Sequence, residues 1–171
     1  KITMTKASYS ERKTVVSILT ASFADNKSVN YIIKQDKKRK HRISKLMEYS
    51  FDYCHWFGEI LLSDDKKACA LIIFPDKKKT SFKSIVADIK LITSCTGLSN
   101  AKRAMQREAT IKKVQPSHPF AYLWFIGVSP AEQNNGAGTV LLRQILEKSK
   151  TEGRPVILET STERNLPWYL K

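Results

Sequence analysis

Apolar residues recur along this chain in two rhythms, and each change of rhythm marks an element. Ile2, Met4 and Ala7 alternate loosely with polar neighbours and predict a first strand over residues 1–7. From Ser10 the spacing lengthens. Val15, Ile18, Leu19, Ser22 and Phe23 share one face of a helix that stops near Asp25 and Asn26, and a polar, basic connection follows. Ile43, Leu46, Met47, Phe51, Cys54 and Phe57 mark a second, more strongly amphipathic helix closed by Gly58. Its further aromatics Tyr49, Tyr53 and Trp56 exceed the needs of one core stripe, and either pack on neighbouring loops or border a pocket. Two apolar runs, residues 59–62 and 68–74, flank a polar turn and predict a hairpin that Pro75 ends. Phe82, Ile85, Val86, Ile89 and Ile92 are helically spaced, with Gly97 as the predicted stop. Ser99 or Asn100 then caps another helix, with Met105 and Val114 as its apolar positions, that ends before Pro116.

The pattern is clearest over residues 120–150. An aromatic and β-branched run at 120–128 reads as a buried strand, and Pro130 cannot continue its ladder. Then comes Gln133-Asn134-Asn135-Gly136-Ala137-Gly138, followed by Val140, Leu141, Leu142, Ile145 and Leu146 at helical spacing, with Glu147, Lys148 and Lys150 opposite. Gly153-Arg154-Pro155 turns the chain into a short strand at 156–160. Strand, glycine loop and helix together predict an anion site. The glycines let backbone approach a ligand, and the first amides of the helix lack intrahelical partners at the positive end of its dipole. A Walker loop is excluded, because Gly138 is followed by Thr139 and Val140 rather than Lys and Ser or Thr. A dinucleotide fingerprint would have Leu141 at its third glycine position and only one clear strand after it, although Glu159 stands at a suggestive distance.

Composition narrows the class. A chain of 171 residues with 42% hydrophobic content predicts one domain, 1–171, with a substantial core. No stretch approaches the roughly 20 apolar residues of a membrane span, and the N-terminus lacks the apolar core of a secretion signal, so a cytoplasmic protein is expected. Cys54, Cys69 and Cys95 are widely spaced within apolar patterns and read as buried free thiols. His41, His55 and His118 lie far apart and no Cys-x-x-Cys occurs, so no metal is expected. The net charge of +14 raises nucleic acid as a partner. Yet the lysine runs at 37–40 and 77–79 carry no interleaved aromatics that could stack on bases, and a solvated basic surface is the better reading.

Gln133-x-x-Gly136-x-Gly138, preceded by Val128-Ser129-Pro130 and followed by an amphipathic helix and a short strand, resembles the cofactor motif of the GNAT acetyltransferases. The resemblance implies an α/β (α+β) fold: a central mixed, mostly antiparallel sheet flanked by helices, with a splayed pair of central strands. Residues 162–169 resemble the segment leading into that family's tyrosine-bearing helix, which further strands normally follow. The sequence ends at Lys171, so a domain without its C-terminal strands is expected, with a sheet edge that a second copy could cover as a homodimer.

The resemblance further implies acetyl coenzyme A as co-substrate and a small-molecule or peptide amine as acceptor, with no membrane partner. Backbone of Gln133, Asn134, Asn135, Gly136, Ala137, Gly138 and Thr139 would hold the pyrophosphate. The pantetheine arm would run along Ile126, Gly127 and Val128, with a bulge at Gly127, the Val128 amide facing the thioester oxygen, and Asn165 contributing from the C-terminal helix. Tyr169 matches the family's acid for the departing thiolate. An alkylammonium ionises at about 10.4, so its attack needs a base, for which Glu159 is the first candidate and His118 the second. The alternatives are an acyl-coenzyme A-binding module of the same fold without catalysis, or a basic nucleic-acid-binding domain.

Overall fold

The computed structural model describes residues 3–170. Strand β1 (Met4–Lys6) lies where the alternation placed a strand, while Ile2 falls outside the described residues. Helices α1 (Arg12–Ser22) and α3 (Arg39–Phe57) bury the predicted stripes, with Leu19, Met47, Phe51 and Cys54 fully enclosed. Strands β2 (Gly58–Ser63) and β3 (Ala68–Ile73) form the predicted hairpin. Strand β4 (Ala121–Val128), helix α6 (Ala137–Thr151), strand β5 (Val156–Ile157) and the short helix α7 (Leu166–Tyr169) complete the C-terminal half. The five strands run β1-β2-β3-β4-β5, antiparallel except for the parallel β4–β5 pair.

This mixed sheet separates two cores. On one face, α1 and α3 pack over Ile60, Leu62, Cys69, Leu71 and Phe125. On the other, Leu141, Leu142 and Ile145 of α6 cover Leu61, Ala70, Ile72, Ala121 and Leu123. Burial on both faces explains why β2 and β3 read as unbroken apolar runs rather than alternating ones. Cys54, Cys69 and Cys95 are buried and unbridged, as expected of core thiols.

Four local expectations are corrected. The polar connection after α1 contains a helix, α2 (Lys27–Ile32), whose N-cap Asn26 accepts from the Val29 amide at 3.1 Å. Six residues with one buried apolar position are too short to show a period. Gly97 caps the end of the helical run from Phe82 as expected, but no gap separates it from the next helix. Helix α4 (Phe82–Leu91) passes through a π turn (Ile92–Thr96), and Gly97, at φ 72°, opens α5 (Gly97–Lys112), leaving Ser99 and Asn100 inside α5 instead of capping it. Phe82, Ile85 and Ile89 of the stripe predicted for α4 and the apolar positions assigned to α5 face outward, with Phe82 81% and Met105 68% exposed. Finally, the bulge on β4 falls at Trp124, not Gly127. Leu71 pairs with Phe125 and Ile72 with Leu123, which leaves Trp124 without a partner residue, whereas Gly127 pairs regularly with Cys69. Gly127 answers a packing need, because a Cβ there would stand 2.9 Å from Cδ2 of Leu19.

The tightest backbone approach is at Gly58, the C-cap of α3 and first residue of β2, where a Cβ would lie 1.9 Å from the Ile72 carbonyl oxygen. Backbone cannot yield as a flexible side chain can. Gly58→Ala is therefore expected to lower stability by on the order of 3 kcal/mol in urea unfolding, and an unchanged midpoint would disprove this packing account.

Candidate active site

The loop after β4 forms a cradle around the start of α6. A 3-10 turn at Pro130–Glu132 ends the strand, Asn134 takes φ 67°, and Gly136, at φ 80°, is the N-cap of α6. These left-handed positions fold the loop so that Gly136 offers its carbonyl to the Val140 amide at 3.0 Å while no side chain caps the helix. The amides of Ala137, Gly138 and Thr139 thus open α6 without intrahelical partners.

Several contacts hold the cradle in place. Lys67 of the β2–β3 hairpin pairs with Glu132 at 2.8 Å and holds that carboxyl below its usual range. The Gln133 side-chain amide donates to the Val128 carbonyl at 3.3 Å, and the Ser22 hydroxyl donates to the same carbonyl at 2.7 Å. From the C-terminus, Trp168 donates its indole N–H to the Thr139 hydroxyl oxygen at 2.9 Å. Its ring lies 3.5 Å from where a Gly138 Cβ would stand, with Val128 at the same distance.

Beside the cradle, β4 and β5 separate. They pair only through Ala121 with Val156 and Tyr122 with Ile157, so β4 from Leu123 onward has an open edge toward β5. Residues 158–160, expected to continue the strand, diverge instead and line a cavity of about 390 Å3 together with Ile126, Asn165 and Tyr169. Another part of its wall is aromatic and comes from α3 and β4: Tyr49, Tyr53, Tyr122 and Trp124. Trp124 reaches it because of the bulge, which places Trp124 and Phe125 together against the α1–α3 core.

The cavity brings together some of the residues singled out in the sequence. Ile126, Glu159, Asn165 and Tyr169 line it, as do Tyr49 and Tyr53, whereas Trp56 packs beside Phe57 away from it. Residues 133–139 form the cradle outside its lining, and Gly127 and Val128 join the two. His118 sits on an exposed turn ahead of β4 and is not part of the lining. Reading the sequence missed Tyr122, whose hydroxyl donates to Oε1 of Glu159 at 3.0 Å, and Trp168. Partly polar aromatics in an otherwise apolar strand were the available signal. Burial, followed by the neighbouring Glu159 charge, pushes the Tyr122 phenol up, so it remains a donor to the carboxylate. Burial alone raises Tyr169.

The model of the acetyltransferase (GNAT) family matches residues 33–169. The chain belongs to the GNAT acetyltransferase family. Solved structures agree on the fold. A Corynebacterium glutamicum protein described as histone acetyltransferase HPA2 and related acetyltransferase superposes with a TM-score of 0.72 at 18% identity, covering 99% of this chain and 82% of its own. The C-terminal condensation domain of Ebony, solved with beta-alanyl-dopamine, gives 0.65 at 9% identity over 98% and 79% of the two chains. A GNAT-family protein from Desulfovibrio desulfuricans gives 0.52 at 11% over 99% and 80%. Acetyl transfer from acetyl coenzyme A is typical of this family. Among the described residues no group of three or more His, Cys, Asp or Glu could hold a metal ion, and no helix is long and apolar enough to cross a membrane.

The cradle's geometry can be tested without any ligand. A Cβ at Gly136 would meet nothing within 4 Å, so only the left-handed backbone opposes a side chain there. Gly136→Ala should cost about 1 kcal/mol in chemical unfolding and Gly136→Asn clearly less, since Asn tolerates that conformation. Equal costs for the two would contradict the assigned backbone.

Proposed function

We propose that this GNAT protein transfers the acetyl group of acetyl coenzyme A to a primary amine bound in the aromatic cavity. The observation that carries the proposal is the convergence, where β4 and β5 part, of the open β4 edge, Glu159 and Tyr169 on one cavity beside an uncapped helix start.

The first amides of α6 hold the pyrophosphate, and the open edge of β4 pairs with the amide-bearing pantetheine arm as an added strand would. Glu159, its carboxylate oriented by the Tyr122 hydroxyl, takes the proton from the attacking amine, directly or through water. As nitrogen bonds to the thioester carbon, the Val128 backbone amide stabilises the negative charge on the thioester oxygen. When the carbon–sulfur bond breaks, the Tyr169 phenol gives its proton to the departing thiolate. The amine has lost one proton and the sulfur has gained one, so the step balances and yields an N-acetyl product and coenzyme A. His118, on its exposed turn, has no part in this scheme.

Calorimetric titration with acetyl coenzyme A beside NADPH tests the cradle; saturable binding of the former alone is expected, and its absence from folded protein would overturn the proposal. Tyr169→Phe should lower kcat for thiol release by about 100-fold while leaving acetyl coenzyme A affinity within about twofold. Burial raises the Tyr169 pKa, so the phenol stays protonated through the range in which a free tyrosine does, and the rate should climb with pH as the amine becomes a free base. A falling limb below the ordinary tyrosine range would remove Tyr169 from the acid role.

A further inference from the structure

Helix α4 is mounted with an apolar side outward. Its packed side carries Ser84, which is buried, Asp88, which accepts from the Tyr49 hydroxyl of α3 at 2.7 Å, and Leu91, which packs against the core. Phe82, Ile85 and Ile89, at spacings of three and four, share the opposite side and stand 81%, 46% and 55% exposed. A helix that met only water there would carry polar residues. The stripe is also held in shape, because the Ser81 hydroxyl caps the helix by accepting from the Ser84 amide at 3.2 Å.

Cations border the stripe. Lys83 and Lys90, seven residues apart, lie together on its flank, and Lys77, Lys78 and Lys79 precede the helix, so residues 77–90 carry five lysines against one acid, Asp88. Lys79, Lys83 and Lys90 are exposed and make no ion pair among the described residues. This combination narrows what can cover the face. A second copy of the chain would bring +14 against +14, and a two-fold axis would set the lysines of one stripe near their own copies. A folded partner would need a groove for Phe82, which projects. A fluid bilayer needs none: projecting apolar side chains sink into its interfacial layer while long lysine stems reach anionic headgroups.

We propose that α4 seats this protein on an anionic lipid surface, with Phe82, Ile85 and Ile89 in the interfacial layer and Lys79, Lys83 and Lys90 at the headgroups. The contact is peripheral and reversible, since three apolar side chains lie in the surface and no described helix is long and apolar enough to cross it. It is independent of the acetyl-transfer reading above.

Co-sedimentation of the full chain with phosphatidylcholine vesicles, with and without phosphatidylserine, tests this. Binding to the anionic vesicles should be about tenfold tighter or more, and should weaken as salt is raised. Ile85→Ser with Ile89→Ser should lower it about tenfold, and so should Lys83→Gln with Lys90→Gln. Lys37→Gln with Lys40→Gln removes as much charge from exposed positions elsewhere and should change binding by less than about twofold. All the substituted side chains are exposed, circular dichroism checks that each variant keeps its fold, and the comparison of lipids needs no variant. Failure to bind anionic vesicles, or equal binding to neutral ones, overturns the proposal. So does an equal loss in the two lysine pairs, which would reduce the effect to net charge. A dimer of the unsubstituted chain that Ile85→Ser with Ile89→Ser dissociates would overturn it too, by making a second copy the cover.

Discussion

The bulge at Trp124 decides what each half of β4 does. Before it, Ala121 and Leu123 face α6; after it, Ile126 and Val128 take over that face, and Phe125 and Gly127 turn toward α1. One unpaired residue thus lets a single strand serve two cores and still bring Trp124 to the cavity wall. The same strand stays paired with β3 up to Val128 but with β5 only at Ala121 and Tyr122. The open edge, the cavity and the position of the cradle all depend on how β4 divides its two sides.

How much of this could be read from the sequence varied with the range of the interaction concerned. The strand, loop and helix of residues 120–150 were legible, because Pro130, Gly136 and the spacing of Leu141, Leu142 and Ile145 act locally. Gly58 was legible as a helix end, but not its reason, a carbonyl of Ile72 that only the hairpin brings near. The bulge was misplaced at Gly127 because glycine signals backbone freedom, whereas the register of β3 determined where pairing slips. Periodicity showed that Phe82, Ile85 and Ile89 share a face, and could not show that this face is uncovered. Candidate chemistry followed the same rule. Glu159, Asn165 and Tyr169 line one cavity and His118 does not, a distinction that rests on topology rather than residue type.

The cavity's electrostatics differ from those of the surface. Most of the +14 charge lies on exposed lysines that water screens, and it says little about any particular ligand. Within the cavity a handful of groups matter: Glu159 with Tyr122, the half-buried Arg107, and the aromatic rings that share its lining. Low polarity there strengthens each charged group relative to the surface.

The contacts that secure the cradle come from far along the chain. Glu132 is held by Lys67, 65 residues earlier, the Val128 carbonyl by Ser22, 106 residues earlier, and Thr139 by Trp168, 29 residues later. Each closes a loop that must form before the cradle's backbone is fixed, and such closures are slow compared with formation of α6 itself. During folding, helix α6 would therefore exist before it has a shaped N-terminus to offer. The finished shape of the cradle is a late property of this chain, acquired only when the hairpin, α1 and α7 have all docked.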